Sequence, residues 1–163
     1  MEILKIVIVI IMATFSQTEW QLNLTQIEEV EKYIGLNFPG EYKEHLLQKN
    51  GGQCSPNVFK FNENGTWTES CIDWFLAIYD GEYDNLKDYI KTYKIEEKRL
   101  PVHILPIAHD PGGNLICISC DLEDVGCIYF WDHEDEAEEG ETPTTDNMYV
   151  ISSTLSEFLA CLH

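Results

Sequence analysis

The sequence predicts an α+β fold: a single domain with an antiparallel β-sheet and helices packed against it. Three observations predict it. Apolar residues recur at helical spacing in four stretches, short runs rich in β-branched and aromatic residues fill much of the second half, and no repeat or linker divides the chain. At 163 residues and 44% hydrophobic content, one such domain buries about 68–70% of its unfolded surface and needs no covalent staple.

The elements follow in order. Residues 1–20 form a separate N-terminal apolar segment, strand or signal-like. "MEILKIVIVIIMATFSQ" carries a lysine and then an apolar run of signal-peptide length, too short to span a bilayer. Against export, Glu2 cancels Lys5 and the run is β-branched like a strand. The expected location is therefore cytoplasmic, with export as the alternative if residues 1–16 are a signal peptide. The domain proper covers 21–163. From Leu24, Thr25 and Glu28 offer a T-x-x-E capping box, Ile27, Val30 and Ile34 follow at helical spacing, and Gly35 ends the helix. A second helix has Pro39 at its first position and an apolar face of Tyr42, Leu46 and Leu47, and it stops at Asn50-Gly51-Gly52.

Two strand-like pieces come next, 57–61 and 71–79, expected to form a hairpin around the turn-prone "NENGT". Residues 84–93 return to helical period with Leu86, Tyr89, Ile90 and Tyr93 on one side. Strands "VHILPIA", "LICIS" and "CIYFW" are separated by "HDPGGN" and "EDVG", where a proline-fixed φ and permissive glycines suit reversal between antiparallel neighbours. "MYVISS" makes a last strand, and "TLSEFLACL" a closing helix with Leu155, Phe158, Leu159 and Leu162 buried.

Charge narrows the functional classes. A formal charge of −19 with ten Lys plus Arg excludes nucleic acid and disfavours anionic membranes. Seven of the ten residues from Asp132 to Glu141 are carboxylates, and setting them aside still leaves −12. The whole surface is acidic and this loop concentrates it. Such a field attracts cationic partners and speeds their association.

Chemistry of other kinds finds little support. The six cysteines are expected as reduced thiols in the interior; Cys117 and Cys120, three apart in a strand, point to opposite faces and cannot chelate jointly. His109, Asp110, Asp132 and His133 end two strands and could gather as a metal-assisted hydrolase would need, but no metalloprotease helix, nucleophile elbow or phosphate loop accompanies them. The acidic run lacks the alternating order of an EF-hand, so at most weak cation association is expected. No catalytic, cofactor-binding or metal-ligating set emerges.

Three stretches, "IEEVEKYIGLNFPGEYKEHLLQKNGG", "LPIAHDPGGNLICIS" and "GCIYFWDHEDE", together resemble the SUKH superfamily of Smi/Knr-type domains, from about Leu24 to the C-terminus. The resemblance implies a non-enzymatic α+β domain. Bacterial members are immunity proteins that neutralise toxin domains, many of them nucleases, and fungal members regulate cell-wall synthesis and growth signalling. Gly35, Pro39, Asn50, Gly51 and Gly52 match its helical motif, and Asp110, Gly112, Gly113 and Asn114 its turn; physically these are caps and corners. The extended acid run after Trp131 departs from the pattern.

The expected function is thus a protein-binding domain, an immunity protein occluding a basic toxin. Asp132, Glu134, Asp135, Glu136, Glu138 and Glu139 would steer, and Trp131, with Trp67 and Trp74, would anchor. A regulatory scaffold domain is the alternative reading, and a small metal-dependent hydrolase the third.

Overall fold

The computed structural model describes residues 12–163, so most of the apolar N-terminal run lies outside the described residues. Within the rest of that segment, Thr14–Ser16 forms strand β1. Helices α1 (Leu24–Ile34) and α2 (Gly40–Gln48) follow, joined by a corner that a buried carboxylate fixes. Glu31 accepts the Phe38 amide at 2.7 Å and pairs with Lys43 at 2.8 Å, so its charge is hydrogen-bonded as well as neutralised.

Two caps differ from expectation. The capping box of α1 belongs to Asn23 and Gln26, with bonds of 3.0 and 2.9 Å, because Asn23 is the residue with extended backbone and Thr25 already lies inside the helix. Pro39 is the N-cap of α2, and the helix starts at Gly40. Gly35 closes α1 at φ 70°, as its sequence position predicts.

Strands β2 (Gln53–Ser55), β3 (Val58–Glu63), β4 (Thr66–Cys71) and β5 (Trp74–Phe75) come next. The hairpin expected between 57–61 and 71–79 is instead β3 with β4. Asn64 and Gly65, at φ 51° and 95°, make the two-residue reversal that matches the twist of paired strands. "TWTESC" had no apolar alternation to betray it because β4 lies mostly in solvent. Residues 76–78 do not extend a strand; they are buried, with Leu76 and Ile78 in the main core.

After α3 (Leu86–Ile90) the chain widens into a π-helical segment, Lys91–Glu96. The main sheet is a five-stranded antiparallel meander, β5 to β9, completed by β6 (Ile104–His109), β7 (Leu115–Ser119), β8 (Ile128–Trp131) and β9 (Met148–Ser152). Helix α4 (Leu155–Cys161) closes the domain.

Alternation along the central strands sorts side chains between two cores. Ile116, Ile118, Ile128 and Phe130 join the helices and the β3–β4 hairpin in the main core, around Phe59, Phe61 and Phe158. Leu115, Cys117 and Trp131 face the other way, into a small core with Leu100, Ile104 and Met148 beneath Tyr89 and Tyr93. With both faces covered, the central strands read as continuous apolar runs. Lys94 secures the cover of the small core, donating to the carbonyls of Pro101, Val102 and Ile104 at 2.7–3.0 Å. Among the described residues no helix is long and apolar enough to cross a membrane.

Candidate binding surface

The acidic loop joins β8 to β9, and backbone bonds square off its base. The Asp132 amide donates to the Asn147 carbonyl at 3.0 Å, and the buried Asn147 side chain donates back to the Asp132 carbonyl at 2.7 Å. Asp132 then caps a 3-10 turn, His133–Asp135, accepting the Glu134 amide. Glu134, Asp135, Glu138 and Glu139 project into solvent.

Glu136 does not stand with them. Arg99 grips it through two hydrogen bonds of 2.7 Å, the fork geometry that suits a carboxylate. The guanidinium lies 4.6 Å from the Tyr93 ring centre and 5.4 Å from that of Trp131. Its proton is held more tightly than in free arginine, chiefly by the bond to Glu136. This clamp draws the loop towards residues 96–99 across a cavity of about 650 Å³.

Trp131 is the main correction to the expected site. Its ring is 0% exposed, since the eighth strand turns it into the small core, edge-on to Tyr93. It supports Arg99 from below and offers no face to a partner. Trp74 is half-buried, whereas Trp67, on β4, is 71% exposed.

The His and carboxylate residues at the two strand ends are not gathered. Asp110 is buried and holds its own turn together, accepting the amides of Gly112 and Asn114, the Asn114 side chain and the Ser70 hydroxyl. His109 bonds Asp84 at 2.6 Å, and His133 bonds Asn114. Asp132 lies instead beside Glu63 and Asp135, with carboxylate oxygens within 4.8 Å of one another. Glu63 was not foreseen, because only packing of β3 on the main sheet, with Phe61 stacked on Phe130 and Tyr149, carries it there. Cys117 lies in the small core and Cys120 against the main one, opposite faces as the strand period requires. Burial pushes Cys120 up to about 12 and Cys54 to about 11, leaving their thiols poor nucleophiles.

A second concave site went unread in the sequence. It lies between α1 and the loop after β5, has a volume of about 370 Å³, and is walled by Trp20, Tyr33 and Tyr79 with Glu29, Asp80 and Lys87. Trp20 and Tyr79 meet edge to face at 6.2 Å. Two buried asparagines brace the walls. Asn50 donates to the carbonyls of Trp20 and Ile78 and accepts the Ile78 amide. Asn85 donates to the carbonyls of Tyr79 and Gly81. These walls come from three distant stretches, so no local spacing announces them. The one signal was Asn50 itself, a buried polar residue in a glycine corner.

Comparison with known proteins gives two findings. The family described as SMI1 / KNR4 (SUKH-1) matches residues 21–161. A protein described as SPbeta prophage-derived uncharacterized protein YokK, from Bacillus subtilis (strain 168), is 30% identical over 153 residues, spanning 84% of this chain and 72% of its own.

Proposed function

The chain belongs to the SMI1 / KNR4 family (SUKH-1), and on that premise we propose that it is a non-enzymatic, cytoplasmic immunity protein that covers and neutralises a basic toxin. One observation carries the reading: a charge of −19 on a small chain, dense on a loop whose base is pinned and whose outer carboxylates face water. Likeness to a prophage-derived protein is in keeping with a role in conflict between genetic elements.

The physics favours steering over tight pairing. Each exposed ion pair contributes only about 0.2–1 kcal/mol, so the outer carboxylates add little affinity singly. Their summed field, however, raises the encounter rate with a cationic surface. For a nuclease target the gain is double, because the inhibitor carries the charge sign of the nucleic acid it displaces.

The test is to identify a toxic product among the genes adjoining its own, co-express the two, and measure association of the purified pair. Growth should be rescued, and the association rate should fall on the order of tenfold from low to physiological salt. Replacing Glu134, Asp135, Glu138 and Glu139 by their amides should slow capture and leave the melting temperature nearly unchanged. No rescue, or a rate indifferent to salt, would overturn the proposal.

A further inference from the structure

We infer that the cleft of Trp20, Tyr33 and Tyr79 is where the basic partner inserts an arginine side chain, making this cleft, and not the acidic loop, the anchor of the complex. The inference rests on the reading that the partner is a basic protein; what it adds is the place and chemistry of the grip.

The molecule shows elsewhere what this chemistry looks like when satisfied. At Arg99, two aromatic rings form a floor and Glu136 closes a bidentate pair. The second cleft repeats the ingredients, aromatic rings beside Glu29 and Asp80, with no arginine among the described residues in the corresponding place. Arg99 is the only arginine of the sequence, so an arginine seated there must come from another protein.

The walls are open and prepared. Trp20 is 47% and Tyr33 52% exposed, yet the backbones carrying Trp20 and Tyr79 are fixed by Asn50 and Asn85, so little order remains to be gained on binding. The Tyr79 hydroxyl donates to the Tyr83 carbonyl, which holds the outer loop back, and Tyr83 itself is 74% exposed. Burial raises the Tyr79 hydroxyl above its ordinary value, and the charges of Glu19, Asp84 and Asp88 push it the same way. Lys87 is the one base in the lining, against two carboxylates. A guanidinium satisfies both demands, stacking on a ring and pairing with a carboxylate in one plane; an ammonium does so less well.

The probe is fluorescein-labelled nona-arginine, with nona-lysine as comparison, titrated at about 0.15 M salt. The wild-type chain should favour nona-arginine. The charge-neutral double variant Trp20→Ala, Tyr33→Ala should weaken it on the order of tenfold and erase the preference over nona-lysine. A second variant, Glu29→Gln with Asp80→Asn, should weaken it comparably without touching the rings. In the unmutated protein the Trp20 indole N–H resonance should shift on titration, a readout independent of any variant's folding. Binding unchanged in both variants, or shifts confined to 132–141, would overturn the inference and leave the immunity reading standing. Absence of toxin rescue with arginine selectivity intact would sink the immunity reading alone.

Discussion

Set side by side, two places where aromatic rings stand near carboxylates differ in one respect: the first holds an arginine and the second does not. At the filled site, Arg99 joins Tyr93 and Trp131 to Glu136, and both rings lie within or against the small core. At the open site, Trp20 and Tyr33 face solvent, Tyr79 is half-buried, and Glu29 and Asp80 stand beside them. The difference teaches that the same chemistry serves opposite ends. Closed by the chain itself, it is mortar that pins a loop; left open, it is a socket. It also explains why Glu136, chosen from the sequence as one of six steering carboxylates, is the least free of them.

The comparison can be broken most violently at Trp131. Trp131→Ala removes the floor of the filled site and empties the small core, at a cost of about 3–5 kcal/mol, which urea unfolding would register. Tryptophan fluorescence from Trp20 in the surviving native fraction should stay as it was.

Acid should separate the two sites in the other direction. His45 lies against Phe15 and Phe75, and burial, aided by the charge of Lys49, lowers its pKa from 6.5 to about 4. The unfolded chain therefore takes up a proton near 6.5 and the native one only near 4. Stability is lost as pH falls through that window, by about 3 kcal/mol in full. Phe15 belongs to the strand that leads to Trp20, so the open site loosens first. Comparing unfolding of the wild type and His45→Phe at neutral and acid pH isolates this contribution; equal slopes would refute it.

A gentler test sharpens the contrast. Arg99→Met should cost about 1–2 kcal/mol and speed amide exchange across residues 133–141. Arg99→Lys keeps the charge without the fork and should loosen the loop nearly as much. Smallest of all, Trp20→Ala with Tyr33→Ala should shift stability by no more than about 0.5 kcal/mol in calorimetry, since a socket contributes to binding and not to folding.

What the sequence revealed follows from the reach of its patterns. Helical period exposed α1 and α2, with Gly35 and the Asn50 corner as their ends, and apolar runs exposed the three central strands because both sheet faces are covered. β4 was missed because neither of its faces is apolar along its length, so no alternation marks it. The composition of "CIYFW" already spoke for a buried Trp131; its place next to the acids misled. The open cleft was illegible for a different reason. Trp20, Tyr33 and Tyr79 are single aromatics far apart in the chain, each unremarkable alone, and only the folded backbone makes them neighbours.

Asn50 fixes main chain and leaves the side chains around it free. One buried amide ties the backbones of Trp20 and Ile78, while Gly51, whose added Cβ would come within 2.5 Å of that of Ala77, lets the corner close around it. The tie uses main chain, and the cleft displays side chains. The side chains of the cleft can therefore be exchanged one at a time without disturbing the backbone tie on which they are mounted.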